Sequence, residues 1–150
     1  MTRPHGYHNR LPAWQKRLLD MTLLVLLLSG IAWLVIHYLW GAGSAGMLPH
    51  PAELWLIRAH GLAGFLALFV LGSISTLHIP RGWRHGVRLP SAITVLGAWM
   101  VTLLTAYLLY YFSGESSRAV IGWLHAGIAS LLWVAILVHR RQTPPSNTGT

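Results

Sequence analysis

Two histidines make the last hydrophobic segment the most chemically informative part of this chain. The segment runs from Arg118 to Arg141, and its apolar part is long enough to cross a bilayer. It contains His125 and His139, fourteen residues apart. On an α-helix, fourteen residues return a side chain to within about 40° of its first direction and rise about 21 Å. Because histidine inside a membrane is costly, two imidazoles on one helix face predict two metal sites, one near each membrane surface.

An earlier hydrophobic segment, residues 52–79, repeats this arrangement. His60 lies about eight residues inside its outer end, as His125 does in the last segment. His78 lies at its inner end, as His139 does, and it shares a helix face with His60 because eighteen residues are five turns. Histidines at corresponding depths on two helices of a bundle predict two bis-histidine haem sites.

The inner pair, His78 and His139, fits this prediction less closely than the outer pair, His60 and His125. Eighteen residues rise about 27 Å, against about 21 Å for fourteen, and helix tilt absorbs only part of the difference. His78, close to Pro80, could instead be an interfacial residue. We therefore favour two b haems, with a single haem as the alternative.

Other residues are candidates for contacts with a cofactor. His37, near the outer end of the first hydrophobic segment, could replace His60 as a ligand, hydrogen-bond a haem propionate or line a quinone pocket. The remaining histidines are expected to be solvated: His5, His8, His50 and His85. Four glycines flank His60 and His125, where a flat macrocycle needs small residues: Gly61, Gly64, Gly122 and Gly127.

Composition limits the chemistry. Only 9% of the 150 residues are charged, against about 25% in soluble domains, and 54% are hydrophobic. The net charge of +8 comes from basic residues in the tails and in short loops outside the apolar segments, so we expect no nucleic-acid partner. With no cysteine there is no disulfide, iron–sulfur cluster or covalently attached haem. Three acidic residues near span ends are too few for acid–base catalysis, so no catalytic residue is predicted.

The hydropathy pattern predicts an all-α protein, an integral-membrane antiparallel four-helix bundle in a lipid bilayer. We expect a cytoplasmic basic tail over residues 1–17, a transmembrane domain over 18–141 and a disordered tail over 142–150. Pro80 is expected to end the second span. The predicted spans are 18–40, 52–79, 91–112 and 118–139.

The distribution of basic residues predicts the topology. Nine arginines and lysines fall in the two tails and the 81–88 turn, and two fall on the other side. The positive-inside rule therefore places both termini in the cytoplasm. Arginines near the span ends could pair with haem propionates, outside through Arg58 and Arg118 and inside through Arg81, Arg84 or Arg140.

Four segments of the chain resemble successive spans of small bacterial membrane b-type cytochromes, in the broad cytochrome b561-like class. They are SGIAWLVIHYLW, RAHGLAGFLALFVLGSISTLHIPRGWRHG, TAYLLYYFSGESSR and WLHAGIASLLWVAILVHRR. The resemblance implies a multi-pass protein of the bacterial inner membrane with two b haems on His60, His125, His78 and His139. It also implies electron transfer between a quinone and a partner redox protein, either a periplasmic cytochrome or a membrane oxidoreductase complex. The eighteen-residue spacing departs from the thirteen or fourteen usual in that class.

Two classes of function follow. The first is an electron-transfer subunit, whose only catalysis would be quinone oxidation or reduction as part of a complex. The second is a non-haem protein: an assembly or scaffold subunit, or a histidine-based conductor of metal ions or protons. A proton path would normally include an acidic residue at mid-membrane depth, and the sequence places none there.

Overall fold

The computed structural model describes residues 11–41, 48–84 and 89–141, except for the side chains of residues 77, 78 and 81–84. Most of the expected basic tail and all of the expected disordered tail lie outside these residues. The chain divides into two compact units, residues 1–85 and 86–150, and each is considered by itself.

Four α-helices make up the described structure, and the all-α prediction is confirmed. Each helix contains a stretch that is long and apolar enough to cross a membrane. We call α1 with α2 hairpin 1, and α3 with α4 hairpin 2. The helices are α1 (Ala13–Trp40), α2 (Pro51–Arg84), α3 (Leu89–Tyr111) and α4 (Glu115–Arg141).

The first turn of α2 follows from its sequence. Pro51 suits the first helical position, where its missing N–H removes no helical hydrogen bond. Glu53, two residues later, accepts a hydrogen bond from the backbone N–H of His50 at 2.9 Å. The His50 ring in turn accepts one from the N–H of Ala52 at 3.2 Å. These bonds satisfy amides that the helix itself leaves without partners.

The other end of α2 corrects a sequence prediction. The expectation that Pro80 ends the helix is wrong, because α2 continues through Pro80 to Arg84. Proline removes one backbone hydrogen bond, but a long helix can continue when nearby groups satisfy the carbonyl that loses its donor. The helix therefore includes the backbone of both His60 and His78.

Hairpin 1 packs through small and β-branched residues. Ala63, Ala67, Val70 and Ile74 are buried on α2, and their spacing of four, three and four residues places them on one helix face. Small side chains let two helices approach closely, which is how helices associate in membranes. On α1 the buried residues are Thr22, Leu23 and Ser29.

Hairpin 2 also buries only a few of its described residues. Trp99 and Thr105 are buried on α3, and Leu132 and Ile136 are buried on α4. No more than 17% of the residues in the most apolar stretch of any helix are buried within the protein. The large apolar side chains that remain exposed are suited to contact with lipid.

Candidate functional site

The imidazole of His60 is held by a hydroxyl group on the neighbouring helix of hairpin 1. Nδ1 of His60 lies 2.9 Å from Oγ of Ser29 on α1. The same Oγ lies 2.6 Å from the carbonyl oxygen of Val25, so the single hydroxyl proton is used in that bond. The short contact with Val25 therefore favours Oγ as the acceptor from His60, which assigns the ring proton to Nδ1 and the lone pair of the neutral ring to Nε2.

A glycine makes room for this ring. A Cβ atom on Gly30, next to Ser29, would lie 3.3 Å from Cε1 of His60 and 3.6 Å from Nδ1. With any larger residue at this position, the imidazole would have to shift by a few tenths of an ångström. Ser29 and Gly30 together set the position of the His60 ring.

His125 in hairpin 2 is held in the same way. Its Nδ1 lies 2.9 Å from Oγ1 of Thr105 on α3. That hydroxyl donates to the carbonyl oxygens of Thr102 at 2.9 Å and Val101 at 3.1 Å. By the same reasoning we assign the ring proton of His125 to Nδ1, the tautomer also assigned to His60.

Hairpin 2 holds a second histidine at its other end. Nδ1 of His139 lies 2.9 Å from Oγ of Ser91, near the start of α3. The hydroxyl residues Ser91 and Thr105 are fourteen residues apart, as are His125 and His139. The antiparallel helices therefore carry two imidazole–hydroxyl pairs in register, separated by about 21 Å of helix.

Hairpin 1 carries a different pair at the corresponding place. Fourteen residues before Ser29, Gln15 donates from Nε2 to Oγ of Ser73 at 3.3 Å. Ser73 is thirteen residues after His60. An amide–hydroxyl pair thus stands in hairpin 1 where hairpin 2 has an imidazole and a hydroxyl. His78 lies five residues further along α2, and its side chain is outside the described part of the structure.

His37 is paired with a carboxylate. Its Nδ1 lies 2.8 Å from Oε2 of Glu53, which is buried at the start of α2. The pair joins the end of α1 to the beginning of α2. The structure therefore gives His37 a partner that its position in the sequence did not indicate.

The predicted arginines have varied surroundings. The Arg58 guanidinium lies over the Trp55 ring, 5.3 Å from its centre. Nη1 of Arg118 donates to the carbonyl oxygen of Phe112 at 3.3 Å. The side chains of Arg81 and Arg84 lie outside the described residues.

Two other expectations concern the flanking glycines and the loop histidines. A Cβ atom at Gly61, Gly64, Gly122 or Gly127 would have nothing within 4 Å, so the backbone beside both deeper histidines has open space. His50 is exposed, as predicted, although its ring also caps α2. His5, His8 and His85 lie outside the described part of the chain.

The donor set is suitable for haem iron. An axial histidine must offer an unprotonated nitrogen, and a hydrogen bond from its other nitrogen usually fixes the ring. The Nδ1–H tautomer of His60 and His125 meets both requirements. Within the described ranges, no three or more histidine and acidic side chains are grouped so as to hold a bare metal ion.

Sequence reasoning missed the residues that hold the histidines, namely Ser29, Gly30, Thr105, Ser91 and Glu53. One signal was present: the spacing of Ser91 and Thr105 repeats that of His125 and His139. Pairing of His60 with His125, and of His78 with His139, joins the two hairpins and remains a prediction.

Comparison with known proteins adds no assignment. No protein-family model, curated protein or solved structure matches this chain.

Proposed function

We propose that this protein is a membrane electron-transfer subunit in which His60 and His125 are the two axial ligands of a b-type haem. His78 and His139 would bind a second haem. In this proposal the chain lies in a bacterial inner membrane with both termini in the cytoplasm. It carries electrons between the quinone pool and a partner redox protein.

One observation carries the proposal: in each hairpin, Nδ1 of the deeper histidine lies 2.9 Å from a hydroxyl oxygen on the adjacent helix. Each hydroxyl also lies within hydrogen-bond distance of a backbone carbonyl, which favours the Nδ1–H tautomer and leaves the lone pair on Nε2 for iron. His60 and His125 thus have the same kind of hydroxyl partner and lie at similar distances from the ends of their predicted spans. This similarity favours one ligand that both histidines bind.

The residues around the histidines have separate roles. Ser29 and Thr105 would hold the rings and raise the basicity of Nε2. The apolar helices would exclude water, and the arginines near the helix ends could pair with propionates. Haem, when bound, supplies one-electron redox chemistry, while the chain determines its ligands, burial and electrostatic field.

An absorption spectrum of the purified protein tests this function. Protein from haem-replete cells should show a reduced b-type spectrum with about two haems per chain. A colourless preparation would contradict the proposal and favour the scaffold or conductor alternative. His8→Ala, in the predicted tail, is a suitable control and should retain the parent spectrum.

The proposed orientation has its own test. Reporter fusions at Gly43, which lies between α1 and α2 in the sequence, and at Gly114, between α3 and α4, should give a signal from the outer side of the membrane. A cytoplasmic signal at either position would contradict this topology.

A further inference from the structure

The carboxylate–imidazole pair in hairpin 1 has no role in holding the proposed haem ligands. Oε2 of Glu53 accepts from Nδ1 of His37 at 2.8 Å, and Oε1 accepts from the His50 N–H at 2.9 Å. An ionised carboxylate only accepts hydrogen bonds, so the His37 proton lies on Nδ1. In the neutral ring, Nε2 is then the basic atom, as in a general base oriented by a carboxylate.

The surroundings of His37 suit a flat, apolar ligand with polar edges. Trp33 stacks on the imidazole with ring centres 4.4 Å apart, and Tyr38 meets it edge-on at 5.0 Å. The His37 side chain is 22% exposed, and among the described residues Nε2 has no hydrogen-bond partner. Trp40, at the end of the same helix, has more than half of its surface exposed.

The pair lies at one end of hairpin 1, close in sequence to a proposed haem ligand. Residues 48–50 immediately precede α2, and the ends of a membrane-spanning helix lie near the bilayer surface, where a proton can pass to water. Glu53 precedes His60 by seven residues on α2, a rise of about 10 Å. A ligand bound at His37 would therefore lie close to one of the proposed haem ligands.

We propose that His37 and Glu53 form the binding and proton-accepting site for a membrane-soluble hydroquinone. This inference rests on the proposed electron-transfer function. A hydroquinone hydroxyl donates to Nε2 of His37, and Glu53 holds the ring in the required tautomer. The stacked aromatic rings and the lipid-facing surface receive its apolar headgroup and tail.

The chemistry balances with haem iron as the electron acceptor. Conversion of one hydroquinone to a quinone breaks two O–H bonds and releases two protons and two electrons. The two electrons would leave one at a time, each to a ferric haem iron, the acceptor that the proposed function supplies. Nε2 of His37 takes each proton in turn and releases it to water before the next.

The test compares His37→Gln and Glu53→Gln with a control, Tyr110→Phe, which changes an exposed aromatic residue on α3 of hairpin 2. Each protein is purified with haem, and reduction by a decyl-chain ubiquinol is followed against ubiquinol concentration. Reduction by dithionite, which needs no binding site, is measured in parallel. Haem content, midpoint potential and the amount of co-purified quinone per chain give readouts other than turnover.

We expect His37→Gln to slow the maximal rate of reduction by ubiquinol by about 10²-fold or more, the usual contribution of a positioned base. Glu53→Gln should lower the maximal rate with little change in the half-saturating concentration, because the wrong tautomer is favoured. Both variants should keep parent haem content and dithionite reduction, and Tyr110→Phe should behave as the parent.

Two outcomes would overturn the inference while leaving the proposed function in place. One is reduction of both variants by ubiquinol at the parent rate. The other is loss of haem from His37→Gln, which would make His37 a ligand or a propionate partner. If His37→Gln does not fold, Glu53→Gln alone decides through its rate and its quinone content. A colourless parent protein would refute the proposed function itself, and the inference with it.

Discussion

Hairpin 1 and hairpin 2 hold their deeper histidines in the same way, but they differ at their other ends. His60 and His125 each contact a hydroxyl on the adjacent helix at 2.9 Å. Hairpin 2 then repeats the imidazole–hydroxyl pair with His139 and Ser91. Hairpin 1 has Gln15 and Ser73 at the matching place.

This difference shows where α2 departs from α4. The sequence alone showed only that His60 and His78 are eighteen residues apart, whereas His125 and His139 are fourteen apart. Measured from its deeper histidine, α2 carries a serine after thirteen residues, whereas α4 carries a histidine after fourteen. His78 comes five residues after Ser73, about 7.5 Å further along the helix. The two hairpins are therefore alike around the first proposed haem and unlike around the second, which we expect to be bound less tightly.

The largest effect is expected from substitution of the deeper histidine of each hairpin, His60 or His125. His60→Ala or His125→Ala should remove the first haem and lower the stability of the protein, because in the proposed site each histidine would supply one bond to the iron. Haem content by a pyridine haemochrome assay and thermal unfolding would measure this. Unchanged haem content and spectrum in either variant would exclude that residue as a ligand.

The next largest effect is expected at the proposed second haem site, where the two hairpins differ. If His78 and His139 ligate a second haem, His139→Ala and His78→Ala should each reduce a content of about two haems per chain to about one. A His78→Ala protein indistinguishable from the parent would exclude His78 as a ligand. The proposed first site would be unaffected by that result.

A smaller effect is expected when the hydroxyl partners are removed. Ser29→Ala and Thr105→Val should weaken haem retention by about 10- to 100-fold, the usual effect of losing the partner of a metal-bound histidine. Both should also shift the midpoint potential of the first haem. Ser29→Thr should restore the parent values, and Ser130→Ala, which removes an exposed hydroxyl on α4, should leave them unchanged. Equal retention in all of these proteins would show that the hydroxyls do not position ligands.

The smallest effect is expected at the Gln15–Ser73 hydrogen bond of hairpin 1. Ser73→Ala removes the bond from Gln15 and should lower the free energy of unfolding by about 0.5–1.5 kcal/mol, the net value of a typical hydrogen bond. Haem content should not change. A loss of haem in this variant would mean that Ser73 belongs to the second site.

Much of the fold could be predicted from the sequence because hydropathy and helical periodicity are local properties. The four helices and the shared face of His125 and His139 follow from them directly. The continuation of α2 beyond Pro80 could not be predicted, since it depends on how surrounding groups compensate for the lost backbone bond.

The partners of the histidines were harder to predict for a similar reason. Whether Ser29 faces His60 depends on how far α1 is shifted along α2, and that shift is set by packing around Ala63 and Ala67. Glu53 lies near a span end, where an acidic residue usually indicates an exposed helix start. Its contact with His37 exists only because α1 and α2 form a hairpin.

Near-infrared magnetic circular dichroism of the oxidised protein tests the central claim most directly, because the charge-transfer band of low-spin ferric haem identifies its axial ligands. We expect bis-histidine ligation in the parent protein, with the intensity of the band per chain falling by about half in His60→Ala and in His125→Ala and unchanged in His8→Ala. A parent ligand set with fewer than two histidines, or a bis-histidine band of parent intensity in either of the first two variants, would contradict the proposed site.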